Sequence, residues 1–244
     1  VPELRVGETV IDYTLRRSET VKSARITVTP DAVDVVVPAT ATDDQIAAVL
    51  NRRRAWLVEQ LSDLRERARA IPTIHRFVSG AKIPYRGRMA KLIVEEADVD
   101  LVAVTYRHGF HVRRPRGLKP DVADRMVESA LRLWLRKRLR QDAAEIVKRL
   151  GVPNGLKPKA IHVKEQEHLW GSCGTDRIVN LNWHLIFAPK TVLEYAVVHE
   201  ICHLKHRNHG PEFWGLVGRI LPDWEQRKRW LEVNAHMLGY AQLT

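Results

Sequence analysis

Apolar and polar residues alternate over Val10 to Leu15, Arg25 to Thr29 and Val33 to Val37, the period of half-buried strands, and Pro38 ends the third run. The period then lengthens. Thr42-Asp43-Asp44-Gln45 has the capping-box form, and Ile46, Val49, Leu50, Leu57, Leu61 and Leu64 recur at helical spacing until Pro72, which predicts one long helix. Strand-like segments return at Lys91 to Glu95, Val102 to Tyr106 and Phe110 to Arg113, closed by Pro115, Gly117 and Pro120. From Asp121 to Leu150 the pattern is helical again. Gly151-Val152-Pro153-Asn154-Gly155 then separates that helix from a short strand at Ile161 to Val163. The sequence shows no repeat and no low-complexity tract.

The segment from Thr191 to Leu204 is apolar on nearly every side, as expected of a helix buried in a core. It nevertheless carries His199-Glu200-Ile201-Cys202-His203, an H-E-x-x-H pattern. Residues four apart share one helix face, so His199 and His203 can converge on a single metal ion, while Glu200 sits one step round, where a carboxylate can serve as general base without ligating the metal. Two imidazoles and a carboxylate inside an apolar helix cost several kcal/mol unless each finds a partner, and a metal is such a partner. Catalytic zinc sites use three protein ligands and keep a fourth position for water. His209 is the best third ligand, because Gly210 and Pro211 let the chain turn and start a second helix at Pro211. His206 is its rival, although it extends the first helix and fits a solvated or supporting place better.

Upstream, Ile178-Val179-Asn180-Leu181-Asn182 alternates as a strand, with Gly171 and Gly174 marking turns before it. A strand beside the metal helix could pair with an extended peptide, or could be an ordinary hairpin packed beneath the helix. Trp170, Trp183 and Trp214 read as core, and Cys173 as a thiol that needs no function. Tyr195, one turn before His199, is a candidate hydrogen-bond donor to a developing oxyanion or to a ligand, with a core aromatic as the plainer reading. Asp223 and Glu225 follow Pro222 at a helix start, where carboxylates favourably meet the helix dipole.

The runs Trp170-Gly171-Ser172-Cys173, Asn180-Leu181-Asn182-Trp183-His184-Leu185-Ile186-Phe187-Ala188-Pro189 and Glu194-Tyr195-Ala196-Val197-Val198-His199-Glu200 resemble the YgjP-like family of zinc metallopeptidases, itself similar to the SprT-like and WLM proteases. Leu15-Arg16-Arg17-Ser18 and the segment Val78-Ser79-Gly80-Ala81-Lys82-Ile83-Pro84-Tyr85-Arg86-Gly87 extend the likeness. The resemblance implies Zn2+ held by His199, His203 and His209, Glu200 as the catalytic carboxylate, and hydrolysis of a peptide bond by a zinc-activated water. Two positions depart from the family pattern: Leu169 stands where a basic residue is usual, and His184 where an arginine is. The fold expected is α+β, with a β-rich basic accessory region holding one long helix over residues 1–118. A zincin-like catalytic region follows over residues 119–244, in which the helix before Gly151 packs as a scaffold behind the metal helix.

Charge adds a second theme. The net charge is +11, and residues 1–150 carry 29 Lys/Arg against 20 Asp/Glu, with clusters at Arg52-Arg53-Arg54, Arg65/Arg67/Arg69, Arg113-Arg114-Pro115-Arg116 and Arg136-Lys137-Arg138-Leu139-Arg140. Such clusters can neutralise phosphates, so nucleic acid is a candidate partner through the basic N-terminal region, and proteins associated with nucleic acid are candidate substrates. Solvated basic helix faces are the plainer reading. A phosphohydrolase acting on nucleotides and a nucleic-acid-binding protein with a structural zinc are the readings from other classes. No apolar run reaches the ~18 residues of a membrane span. Two cysteines make no disulfide framework, and no signal-peptide pattern opens the chain, which together point to the cytoplasm.

Overall fold

The computed structural model describes residues 2–7, 9–28, 32–69, 76–166 and 169–239. The chain forms two compact units, Val1–Pro72 and Thr73–Thr244. It is α+β, with strands and helices segregated along the chain.

In the first unit β1 (Glu3–Val6), β2 (Thr9–Ser18), β3 (Arg25–Val28) and β4 (Val33–Pro38) form a sheet in the order β1-β2-β4-β3. The β2–β4 pair is parallel and the other two pairs antiparallel. Helix α1 (Asp43–Arg69) follows. Its capping box is formed as expected: the Thr42 amide donates to Gln45 Oε1 at 3.1 Å and the Gln45 amide to Thr42 Oγ1 at 3.3 Å. Ile46, Leu50, Leu57 and Leu61 are buried with Leu4, Ile11, Val33, Val35 and Val37 in a core of their own. The expected strand end at Thr29 and helix stop at Pro72 lie outside the described residues.

The second unit opens with β5 (Lys82–Tyr85), β6 (Arg88–Ala97), β7 (Ala103–Tyr106) and β8 (Phe110–Pro115), in the order β5-β6-β8-β7, again with one parallel central pair and antiparallel flanks. Helix α2 (Pro120–Ile146) follows. The strands of the two sheets have the same lengths in turn, 4, 10, 4 and 6 residues, and each sheet is followed by a helix of 27 residues. The chain therefore contains a structural repeat where its residues show none. What recurs is the alternation of buried positions, Leu4 and Ile83, Val35 and Val112, Leu50 and Val127, and not residue identity.

Beyond α2, which runs into a π-helical turn over Val147–Gly151, come β9 (Ala160–Lys164), β10 (Gly171–Cys173) and β11 (Ile178–Asn182). They form a sheet of order β10-β11-β9, which leaves β10 at an edge. A 3-10 turn over Trp183–Phe187 leads into α3 (Lys190–Cys202), then α4 (Pro211–Ile220) and α5 (Trp224–Gly239).

The α2 stripe Val127, Leu131, Leu135 and Leu139 is buried in one core with Leu181, Leu185, Val197 and Ile201, so α2 is the scaffold of α3. The same core takes in Ile83, Tyr85, Leu92, Phe110 and Val112. Tyr85, Tyr106 and Phe110 ring Trp134 of α2 at centroid distances of 5.8, 6.2 and 5.4 Å. The second sheet thus shares its core with α3, and the chain divides into its two compact units at residue 72. The charge divides with it. Residues 1–72 carry 11 Lys/Arg and 11 Asp/Glu, and the basic excess lies in residues 73–150, with 18 against 9.

The β5–β6 hairpin anchors the entry to α3. Arg86 and Gly87 turn the chain at φ of 52° and 78°, and their amides donate to the carbonyls of Ile186 (2.9 Å) and Phe187 (2.7 Å). A Cβ at Gly87 would stand 2.8 Å from Cγ of Pro189, the residue that begins α3. The Arg86 guanidinium pairs with the buried Asp142 of α2, which also pairs with Arg138 at 3.0 Å. On the far side, Glu194 of α3 pairs with Arg149 and with Arg227 of α5. These contacts pin the N-terminal half of α3. Among the described residues no helix is long and apolar enough to cross a membrane.

Candidate metal centre

Helix α3 is apolar on all sides because all its sides are covered: Val192, Leu193, Ala196, Val197, Val198 and Ile201 are buried. Its last turn carries the chemistry. The helix ends at Cys202, with His203 as its C-cap, and the chain turns through His206 and His209 until Pro211, in the first turn of α4, restarts a helix. That return brings His209 back over the end of α3. His199, His203 and His209 each offer a ring nitrogen, and the three donor atoms lie within 4.8 Å of one another. His209 Nε2 stands 3.0 Å from His199 Nε2.

The outward nitrogens of His199 and His203 have partners. His203 Nδ1 is 3.0 Å from the carbonyl oxygen of His206, and His199 Nδ1 is 3.4 Å from the Tyr195 hydroxyl. A donor to a carbonyl fixes the His203 tautomer with its Nε2 unprotonated, as metal-ligating histidines require. Burial pushes His199 down to about 3, helped by His203 and His209, and pushes His203 down as well. Both imidazoles are therefore neutral at physiological pH, the form that binds a metal. Two neutral imidazoles with supported tautomers, and the His209 ring nitrogen beside them, fit a zinc-type ion.

His206 lies outside this group. Its carbonyl supports His203, and its ring is 3.4 Å from a Glu212 carboxylate oxygen.

Aromatic rings pack the three histidines. Phe213, fully buried on α4, stacks on His203 at 4.6 Å and meets His199 and His209 edge-on at 5.0 and 4.7 Å. Trp214 stacks on His209 at 5.6 Å and on Trp224 of α5 at 4.3 Å. Gly210-Pro211-Glu212-Phe213-Trp214 thus positions His209 and packs the three imidazoles at once.

Glu200 is buried, and burial raises its carboxyl to about 8. It faces β10 across a contact with no spare room, since a Cβ at Gly171 would stand 2.6 Å from Glu200 Cγ. The sequence marks Gly171 as a turn. In the structure it is the first residue of a strand, paired with Leu181, and its missing side chain makes space for the carboxylate.

A cavity of about 520 Å³ opens over these groups, lined by the three histidines and Glu200 together with β10 and parts of α3 and α5. Trp170 is on its wall, half-buried, so of the three tryptophans expected in the core only Trp183 is fully buried there. Leu169 lines the cavity too, whereas His184 does not. It lies between Trp183 and Phe187, with burial pushing its pKa down to about 4. Cys173 lines the cavity with burial raising its thiol, and the Arg207 guanidinium donates to the carbonyls of Cys173 and Gly174 at 3.0 Å each. Asp223 pairs with Arg227 at the start of α5 and Glu225 lies in its first turn; neither lines the cavity.

The sequence reading passed over Arg207, Lys228, Leu231 and Glu232, all of which line the cavity. No local signal marks them, because their place depends on how α5 and the turn after α3 pack back on β10.

No curated protein matches the chain. The family model for the YgjP-like metallopeptidase domain matches residues 22–234, which takes in part of the first unit and, in the second, α3 and the cavity walls. The chain belongs to the YgjP-like family and is a metallopeptidase, a hydrolase that needs a metal ion.

Proposed function

We propose that the chain is a zinc peptidase in which His199, His203 and His209 hold Zn2+ and Glu200 is the general base. The supporting observation is the convergence of three imidazole donors within 4.8 Å beside a buried carboxylate in one cavity. A zinc ion held there would supply Lewis acidity toward a peptide carbonyl and make water a better acid.

Glu200 takes a proton from the attacking water and gives it to the leaving amine nitrogen, so that water adds across the peptide bond with no net proton consumed at the carboxylate. A carboxyl raised by burial suits a group that must accept and then release a proton near neutrality. β10, at the edge of its sheet and on the cavity wall, holds an extended peptide alongside the site by backbone hydrogen bonds. Arg207 steadies the end of that strand through two carbonyls.

Nucleic-acid-associated proteins remain the proposed substrate class. The support for it is the basic excess of residues 73–150, where Arg113, Arg116, Lys119, Lys137 and Arg140 are exposed.

Metal content of the purified protein, beside His199→Ala and His209→Ala, tests the ligand set. About one zinc per chain, lost in both variants, is expected for a three-histidine site. Zinc retained in His209→Ala moves the third ligand elsewhere. Glu200→Gln is expected to keep the metal and lose turnover; peptide hydrolysis retained in that variant removes the general base from the reading. Release of phosphate from nucleotides with no peptide cleavage would replace the reading by a phosphohydrolase.

A further inference from the structure

The cavity over the candidate metal centre has two kinds of wall. Lys228, Glu232 and Arg207 supply most of its charge, and each is engaged. Lys228 Nζ lies 2.5 Å from Glu232 Oε1 one turn along α5, and Arg207 donates to two carbonyl oxygens at the end of β10. Charges already neutralised or committed to backbone offer little to a charged substrate group, because engaging it would break a pair made within the protein.

The remaining wall is apolar: Leu169, Trp170, Tyr195, Ala196 and Leu231. Tyr195, Ala196 and Leu231 are 5, 5 and 6 % exposed and form a fixed floor, Trp170 is half-buried, and Leu169, 55 % exposed, stands at the mouth. A large aliphatic side chain held out in water at the rim of a cleft gains free energy when another apolar group covers it.

We propose that this wall is a specificity pocket which receives a large aliphatic or aromatic side chain of the substrate, next to the scissile bond. The inference deepens the peptidase reading and rests on it for the words "substrate" and "scissile". The pocket itself rests only on the lining residues. Leu169 is the specificity-determining residue at its entrance, and it stands at a position where a basic residue would instead favour an acidic group. A substrate side chain that enters displaces water from Leu169, Trp170 and Leu231 and leaves no charged group of the protein without its partner.

Two measurements on the zinc-loaded full chain test this separately from turnover. In the first, calorimetry compares peptide hydroxamates that differ in one side chain: benzyl, isobutyl, methyl or carboxymethyl. Benzyl and isobutyl are expected to bind about 10- to 100-fold more tightly than methyl, as the methylene scale of apolar pockets implies, and carboxymethyl is expected to be weakest. In the second, cleavage sites in a mixed peptide pool are mapped for the parent and for Leu169→Ala and Leu169→Lys, exposed positions that leave the fold intact. Leu, Met, Phe or Trp is expected on one side of the cut, with kcat/KM for those sites lower in Leu169→Ala and acidic residues newly accepted by Leu169→Lys. Equal hydroxamate affinities, or no hydroxamate binding, would overturn the pocket. So would cleavage with no apolar preference, or an unchanged preference in Leu169→Lys. Hydroxamate selectivity without cleavage of any peptide would keep the pocket and remove the peptidase reading.

Discussion

Gly171 and Glu200 touch in a way that leaves no room for a side chain on the strand: a Cβ on residue 171 would lie 2.6 Å from Glu200 Cγ and 2.8 Å from its Oε1. Neither side can yield cheaply, since Glu200 is buried and β10 is fixed by pairing with β11. Gly171→Ala is therefore expected to displace the carboxylate by a fraction of an ångström to an ångström. A misplacement of that size lowers kcat by about 10- to 100-fold. Zinc content should not change, because the atoms nearest to that Cβ all belong to Glu200. Steady-state kinetics beside metal analysis checks this; full kcat in Gly171→Ala would show that the contact is dispensable.

Asp142 of α2 is 7 % exposed and faces Arg86, 15 % exposed, and Arg138. Removing one partner of a buried ion pair leaves the other charge uncompensated, which costs about 3–5 kcal/mol. Asp142→Asn is expected to destabilise the second unit by about 3 kcal/mol, and Arg138→Ala by less, since Arg138 is one-third exposed. Denaturant midpoints of the two variants measure the difference.

His184, away from the three clustered histidines, sets a pH dependence of stability of its own. Burial holds it neutral down to about 4, against an ordinary 6.5 in the unfolded chain. Between those values the unfolded state binds more protons, so its contribution is whole above pH 6.5 and falls away as pH drops toward 4. The loss is up to about 3 kcal/mol. His184→Asn lacks this group, so the stability of the parent should decline more steeply than that of the variant from pH 6.5 to 4 in paired unfolding titrations. Parallel curves would mean that His184 protonates freely in the folded protein.

Tyr195 reaches His199 Nδ1 at 3.4 Å, a long contact, whereas His203 is oriented by a backbone carbonyl at 3.0 Å. Loss of a strong supporting hydrogen bond weakens metal affinity about 10- to 100-fold. A contact of this length belongs at or below the lower end. Tyr195→Phe is expected to weaken zinc binding by less than about tenfold. Competition with a chromophoric chelator reads the affinity directly, and a loss beyond a hundredfold would give Tyr195 a larger part than its distance supports.

Local order was legible from residue pattern. The capping box of α1, the leucine stripe of α2, and the restart of a helix at Pro211 follow from side-chain period and backbone stereochemistry, which act within a few residues. So did the His199/His203 spacing and the return of the chain toward it at His209, since a helix turn and a proline restart are local rules. Alternation shows that a strand buries one face and does not show against what; that Ile83 and Phe110 share a core with α2 is visible only in the structure.

The repeated sheet-and-helix arrangement was hidden for a related reason. Matching buried positions need only be apolar, so Val33 and Phe110, or Ile46 and Ala123, can stand in equivalent places without resembling each other. The walls of the cavity are the extreme case. Gly171, Arg207, Leu231 and Glu232 come from a strand, a turn and a helix that meet only when α5 and the segment after α3 close against β10. By itself the sequence determined most of the elements, the α+β class and the convergence of donors along one helix and its following turn, because those depend on short-range geometry. Tertiary packing alone decided how the chain divides, in which unit its excess charge lies and which side chains line the cavity, because those depend on contacts between residues far apart in the chain.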